Sequence, residues 1–365
     1  VRWRSLLVGG ATIALALGVS CSARAAIYWD NYGSDADGTT IGMAASNGTG
    51  VSQSFITGAS GPVGLAVSGN FIYWSNTDNS DATGTTIGRA NLNGTGVDQS
   101  FITGAEGPHS IVVTSQYIYW ANRGTDGSGT TIGRANLDGS GVNDAFISGA
   151  SGPWGVAVGG GYIYWTNRGT AGGSPCGGSI GRANLDGTDV DQNFIEDVDG
   201  PTGITVDGAY LYWSNGCGDS IGRANLDGSK ADTNFITGPT QPSDLTTDGT
   251  YLYWGNFANP KAGGGGSTIG RATLVGGEVN ESFITGASSP TGIAATTEPV
   301  RCVVPKLTGK TLAAARKALE AAHCSLGRVT RRRASGKAER VLSEHPSVGR
   351  SLPAKSKVAL TVSQK

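Results

Sequence analysis

Short apolar clusters recur along most of the chain at a spacing set by repeats and not by a helical period. A Tyr-Trp pair appears six times, at Trp29, Trp74, Trp120, Trp165, Trp213 and Trp254. An Ile-Gly pair follows each, at Ile41, Ile87, Ile132, Ile180, Ile221 and Ile269. A Phe-Ile pair comes next, at Phe55, Phe101, Phe146, Phe194, Phe235 and Phe283, and a proline closes the unit, at Pro62, Pro108, Pro153, Pro201, Pro242 and Pro290. Each unit reads as four short strands: in the second, Val63 to Val67, Ile72 to Trp74, Ile87 to Ala90 and Phe101-Ile102. Ile72-Tyr73-Trp74 is apolar at successive positions, so its side chains leave both faces of the sheet, as a blade packed between two neighbours requires. Asp-Gly and Asn-Gly pairs such as Asp138-Gly139 and Asn93-Gly94 supply the positive backbone angles of tight hairpins.

Six four-stranded units predict an all-β, six-bladed β-propeller over residues 26–298. The chain enters the cycle at the second strand, Ala26 to Trp29. The missing inner strand of that blade is expected near Gly292 to Thr297, so that N- and C-terminal strands close the ring and leave no exposed sheet edge.

Tyr-Trp-x-Asn in every unit, followed in several by Ile-Gly-Arg-Ala-Asn-Leu-Asp-Gly (Ile132 to Gly139), resembles the YWTD repeats of low-density-lipoprotein-receptor class B propellers. That resemblance implies a six-bladed ring that binds proteins and is not catalytic. One departure stands out: Asn31, Asn76, Asn122, Asn167, Asn215 and Asn256 occupy the place where the family usually has Asp, which puts the family's charge-paired contacts in doubt.

From Ile to Phe the step is 14 residues in every unit, whereas from Trp to Ile it runs 12, 13, 12, 15, 8 and 15. Length variation therefore sits in the loop between the second and third strands, which in a propeller shares a face with the proline segments. Insertions confined to one face of a repeat array mark a binding surface. His109, Trp154, Ser243 and Asp244, at or beside the variable position after the prolines, are placed at this channel mouth as ligand-binding residues; the alternative is that they only fill the funnel. The repeated Arg89, Arg134, Arg182, Arg223 and Arg271 suggest an anion-binding ring, but their fixed place in the repeat favours a structural bond to the neighbouring blade. Two Asp-rich loops, Asp35 to Gly38 and Asp78 to Asp81, are an alternative calcium site, although neither matches the ligand pattern of a defined calcium loop.

Charge divides the chain near residue 298. Residues 26–298 hold 9 Lys+Arg against 25 Asp+Glu, a net of −16, while residues 299–365 hold 15 Lys+Arg against 3 Glu, a net of +12. The basic segment opens Val304-Pro305-Lys306-Leu307-Thr308-Gly309 and continues with Leu312, Ala315, Leu319 and Ala322, one apolar helix face with Thr311 as cap. Strand-like runs follow at Leu326 to Thr330, Arg340 to Ser343 and Val358 to Val362. The order resembles a PASTA domain, a small α+β module of bacterial cell-wall enzymes and kinase ectodomains, some of which bind peptidoglycan fragments. The run Arg331, Arg332 and Arg333 is the candidate wall-binding patch. Nucleic acid is not expected, for no aromatic platform is interleaved with the basic residues.

Arg2 and Arg4, an apolar run from Leu6 to Val19 and Ala23-Arg24-Ala25 read as a signal peptide over residues 1–25, too short and too glycine-broken for a membrane span. Lipidation of Cys21 is a weaker alternative. In an oxidising compartment the remaining four cysteines are expected to pair. Cys176 and Cys217 lie four residues before the Ile-Gly pairs of adjacent blades, and Cys302 and Cys324 flank the helix, which selects those two bridges. These features point to a secreted, monomeric, non-catalytic binding or scaffold protein of the cell envelope. Its partners would be peptidoglycan or an anionic wall polymer and an unnamed protein at the mouth, with no cofactor or metal. The alternative is a propeller enzyme, lactonase- or lyase-like, acting at that mouth.

Overall fold

The computed structural model describes residues 25–33, 38–77, 84–124, 127–169, 176–259, 264–296, 301–322, 324–333, 339–353 and 355–364. Residues 1–24, which hold all but the last position of the expected leader and include Cys21, and most of both Asp-rich loops lie outside these residues.

Six four-stranded antiparallel sheets follow one another, the arrangement of a six-bladed propeller. The second consists of Pro62–Ser68, Phe71–Asn76, Thr86–Asn91 and Asp98–Thr103, paired in that order. The next four repeat the plan from Pro108, Pro153, Pro201 and Pro242. The first combines Ala26–Asn31, Thr40–Ala45 and Ser52–Thr57 with Ile293–Ala295, whose Ala295 and Ile293 lie opposite Ile27 and Trp29.

The repeated residues explain one another. All six repeat tryptophans are fully buried, each contributing on the order of 5 kcal/mol, an upper figure for burying roughly 200 Å² of ring. The glycine of every Ile-Gly pair lies opposite the tryptophan, where a methyl group would fall 2.2–2.4 Å from indole Cε2. Only glycine leaves room for the ring. In five sheets the indole N–H donates to a side chain on the outermost strand: Gln53, Gln99, Asp144, Gln192 and Glu281. The fifth sheet carries Thr233 there, and Trp213 donates instead to Asn215 Oδ1.

The six asparagines after these tryptophans join three segments of each unit. In the second, Asn76 Nδ2 donates to Thr86 Oγ1 at 3.0 Å and to the Gln99 carbonyl at 2.9 Å, while Oδ1 accepts from Ser60 N at 3.2 Å. The same three contacts recur at the other five. One atom faces a carbonyl and the other an N–H, so the position calls for an amide. This accounts for the departure from Asp: the site is a neutral clasp.

The repeated arginines are structural and stack within their own blade, while Arg182 also acts electrostatically on Asp227 of the next blade. Arg89 lies 4.6 Å and 3.7 Å from the ring centres of Phe71 and Phe101, both in its own sheet, and Arg134, Arg182, Arg223 and Arg271 repeat the stacking.

In the C-terminal unit, Ser325–Arg333 runs parallel to Lys357–Gln364, which pairs on its other side with Val341–His345. Helix Leu312–Ala321 starts at Thr311, whose hydroxyl accepts from Ala314 N. Ala315 and Leu319 of that helix join Val304, Leu307, Val341, Val358, Leu360 and Val362 in one core. A short pairing of Arg301–Val303 with Ser351–Pro353 was not expected from the sequence. No helix among the described residues is long and apolar enough to cross a membrane.

Candidate functional site

The first strands of the six sheets together line a channel of about 190 Å³, with residues such as Val67, Val113, Val158, Val206 and Ala295. Where these strands begin, after the prolines, lies a second cavity of about 570 Å³. All six residues that follow the prolines line it: Val63, His109, Trp154, Thr202, Ser243 and Thr291.

Their hydroxyls and carbonyls lock the base. Thr202 Oγ1 donates to the Pro242 carbonyl and Ser243 Oγ to the Pro290 carbonyl, each at 2.8 Å, and the Ser75 hydroxyl donates to the His109 carbonyl. Ser243 is therefore held in the wall by its neighbour blade. Asp244 lies one step deeper, sharing a small hollow with His109, Trp154 and Ser243 and also bordering the axial channel. Its Oδ1 accepts from Leu245 N at 3.0 Å. Burial outweighs this bond and the one from Ile293 N, and pushes the carboxyl up to about 7.

Fully buried Asp30 accepts from Thr291 N at 2.7 Å, Thr291 Oγ1 at 3.0 Å and Gly292 N at 2.6 Å. Burial still holds its pKa well above the ordinary carboxylate value. Two buried carboxyls thus hold the short C-terminal strand and the residues leading into it, Asp30 from the same sheet and Asp244 from the neighbouring one.

His109 and Trp154 meet at a ring-centre distance of 4.6 Å. Burial of the imidazole, then the charges of Arg123 and Arg168, push the His109 pKa down to about 3, against a hydrogen bond with the Trp154 backbone. It is neutral at physiological pH. The guanidinium carbons of Arg123 and Arg168 lie 4.6 Å and 4.3 Å from a Trp154 ring centre. Burial and the charge of Arg123 lower the Arg168 pKa.

Sequence reasoning missed these two arginines. They occupy the position just after the repeat asparagine, where the six units carry Tyr32, Thr77, Arg123, Arg168, Gly216 and Phe257, and all six line the cavity. A hypervariable residue beside an invariant one was the signal. The Cys176–Cys217 bridge joins variable loops of the fourth and fifth sheets at the cavity rim, and Cys302–Cys324 fastens the helix end to the first C-terminal strand.

Arg331, Arg332 and Arg333 are exposed, but the strand continues through them, opposite Val362, Ser363 and Gln364. Successive side chains of a strand leave opposite faces. Arg331 and Arg333 thus share one face, Arg331 lying 3.8 Å from Glu339, and Arg332 lies on the other. Among the described residues no group of three His, Cys, Asp or Glu is arranged to hold a metal.

Comparison with known proteins agrees with this architecture. Residues 161–207 match the model of the low-density lipoprotein receptor repeat class B, and residues 303–364 that of the PASTA domain. A chain of the "Crystal structure of Nidogen/Laminin Complex" superposes with a TM-score of 0.58 at 19% identity, covering 75% of this chain and 99% of that one, a likeness of fold. No curated protein matches the chain. The chain combines a propeller of class B, or YWTD, repeats with a C-terminal PASTA domain.

Proposed function

We propose that this is an exported, non-catalytic binding protein of the cell envelope, its propeller mouth recognising a protein partner while the PASTA domain tethers it to peptidoglycan or an anionic wall polymer. The observation that carries the reading is the convergence of two variable positions, repeated six times on a conserved frame, on one open cavity. Proteins vary what contacts a ligand and keep what holds the scaffold. A propeller and a PASTA domain in one chain suggest a binding or scaffold role, and the similar solved chain comes from a complex of two proteins. The disulfides and the PASTA domain hint at a location outside the cytoplasm. Residues 1–25 would be the leader, 26–298 the propeller and 299–365 the tether.

A non-catalytic role is supported by the lining of the cavity: Asp219 is its one carboxylate among the described residues, and Asp244 lies beneath it, bonded to backbone N–H groups. General acid–base work needs such groups within reach of a substrate proton.

The test is retention of the full chain on purified peptidoglycan-rich wall, with and without Arg331, Arg332 and Arg333 replaced by Ala. The triple variant should be released and the parent should weaken with salt, because exposed charges are screened over about 8 Å at physiological ionic strength. Trp154→Ala should stay on the wall yet change the envelope proteins captured. Retention of the triple variant would defeat the tether. An unchanged set of captured proteins would defeat the mouth.

A further inference from the structure

We propose that the propeller mouth recognises a carboxylate on an extended segment of its protein partner, through Arg123 and Arg168 braced on Trp154. The inference rests on the mouth being the recognition surface and adds what that surface selects.

Arginine serves two purposes in this ring. The five repeat arginines each lie over two rings of their own blade, between its second and fourth strands. Arg123 and Arg168 instead share one indole, at 4.6 Å and 4.3 Å, on the wall of a cavity. They come from equivalent positions of adjacent blades, so the frame itself brings like charges together. Repulsion between them is relieved by an anion. A guanidinium stacked on an aromatic face has lost rotamer freedom and presents its N–H edge as a fork, the geometry that binds carboxylate bidentately. His109, neutral beside them, adds no third charge.

The lining also offers apolar surface: Phe257, 40% exposed, with Val63 and Pro242. Asp219 is the one carboxylate among the lining residues. A volume of about 570 Å³ suits a few residues of peptide. The preferred ligand is therefore an acidic side chain followed closely by an apolar one. The acidic balance of residues 26–298, 9 Lys+Arg against 25 Asp+Glu, opposes long-range steering of such a ligand. Selection must come from contact, in the off-rate and not the on-rate. A wall sugar bearing a carboxylate is less suited, because the Trp154 ring on which it would stack already carries guanidinium groups.

Trp154 also provides the assay. The other described tryptophans are fully buried, so in the full chain carrying Trp3→Phe the accessible indole fluorescence reports the mouth. Iodide should quench this emission several-fold more strongly than in Arg123→Gln/Arg168→Gln, while neutral acrylamide quenches both alike. The capped peptide Gly-Asp-Leu-Gly should protect Trp154 about tenfold better than its Asn counterpart, roughly one charged hydrogen-bond pair. The double variant should lose that preference. Arg168→Lys, which keeps the charge but not the fork, should retain iodide sensitivity and lose most of the Asp preference. Equal protection by the Asp and Asn peptides would overturn the carboxylate and leave the mouth as a binding surface. No protection by any peptide would remove both. Protection by N-acetylmuramic acid but not by the Asp peptide would replace the protein partner with a sugar.

Discussion

The amide clasp can be tested by a change of one atom. In Asn76→Asp an oxygen takes the place of the Nδ2 that donates to the Gln99 carbonyl at 2.9 Å and to Thr86 Oγ1 at 3.0 Å. The site is 3% exposed, so water cannot supply the missing partner. The Thr86 hydroxyl can turn and donate to the new oxygen, but the Gln99 carbonyl cannot. One buried acceptor then loses its donor, about 1–3 kcal/mol, and a carboxylate is buried with incomplete compensation, so a total near 3–5 kcal/mol is expected at pH 7. For a ring of this size that lowers the melting temperature by roughly 6–15 °C. The sign with pH follows from the same contacts. Facing a carbonyl, the new carboxyl has a raised folded-state pKa, and once protonated it regains a donor. The penalty should therefore be smallest below the unfolded pKa of about 3.9 and grow as pH rises through the folded value. Differential scanning calorimetry of parent and variant at pH 5 and pH 8 measures both. A loss under about 0.5 kcal/mol at pH 8, the scale of an ordinary surface substitution, would refute the clasp.

Two further outcomes follow from the grip on the C-terminal strand. With Asp244 raised to about 7, its contribution to stability is full below an unfolded pKa of about 3.9 and is lost as pH rises to the folded value, at about 1.4 kcal/mol per unit. His109, lowered to about 3, acts in the opposite sense, its contribution being lost as pH falls through its ordinary 6.5. The informative quantity is thus the difference between Asp244→Asn and parent, and the variant should gain on the parent between pH 5 and pH 7; a pH-independent difference in melting temperature would contradict the assignment. If the pairing of Ile293–Ala295 with Ala26–Asn31 closes the ring, deleting residues 290–297 should expose a strand edge and strip Asp30 of three donors. Size-exclusion chromatography should show association and calorimetry an earlier melt, and a monodisperse chain with an unchanged melt would rule closure out.

Most of the propeller was legible because each repeat residue satisfies a local need that sequence spacing preserves. Trp and Gly appear together because the ring occupies the space of a Cβ. Proline opens five of the six inner strands because its missing N–H falls at a strand start. What the repeat could not convey was partner choice. Repetition alone does not say whether Arg89 reaches within its blade or across to the next, and the stacking on Phe71 and Phe101 settles it inside. The basic run of the PASTA domain was similarly ambiguous. As a string, Arg331-Arg332-Arg333 reads as one patch, but the pairing with Val362–Gln364 divides it between two faces.

The candidate site was half legible for a reason that lies in propeller geometry. A cavity at the ring mouth is lined by positions, not by a motif, and each blade contributes one residue after its proline and one after its asparagine. The first kind was found because the proline is a conspicuous marker. The second was hidden at the start of loops whose lengths differ, where attention goes to the insertion and not to the fixed residue before it. Yet that residue inherits the rigidity of the clasp: the asparagine preceding Arg123 and Arg168 is tied to two other segments of its unit. A side chain free to vary on a backbone that is not free to move is what a recognition surface requires, since ordering costs are met by folding and not by binding. The variable loops then supply reach, and the Cys176–Cys217 bridge limits the motion of two of them at the rim. On this reasoning, substitutions just after the asparagines should alter what the mouth binds with little effect on melting, whereas substitutions of the asparagines should do the reverse.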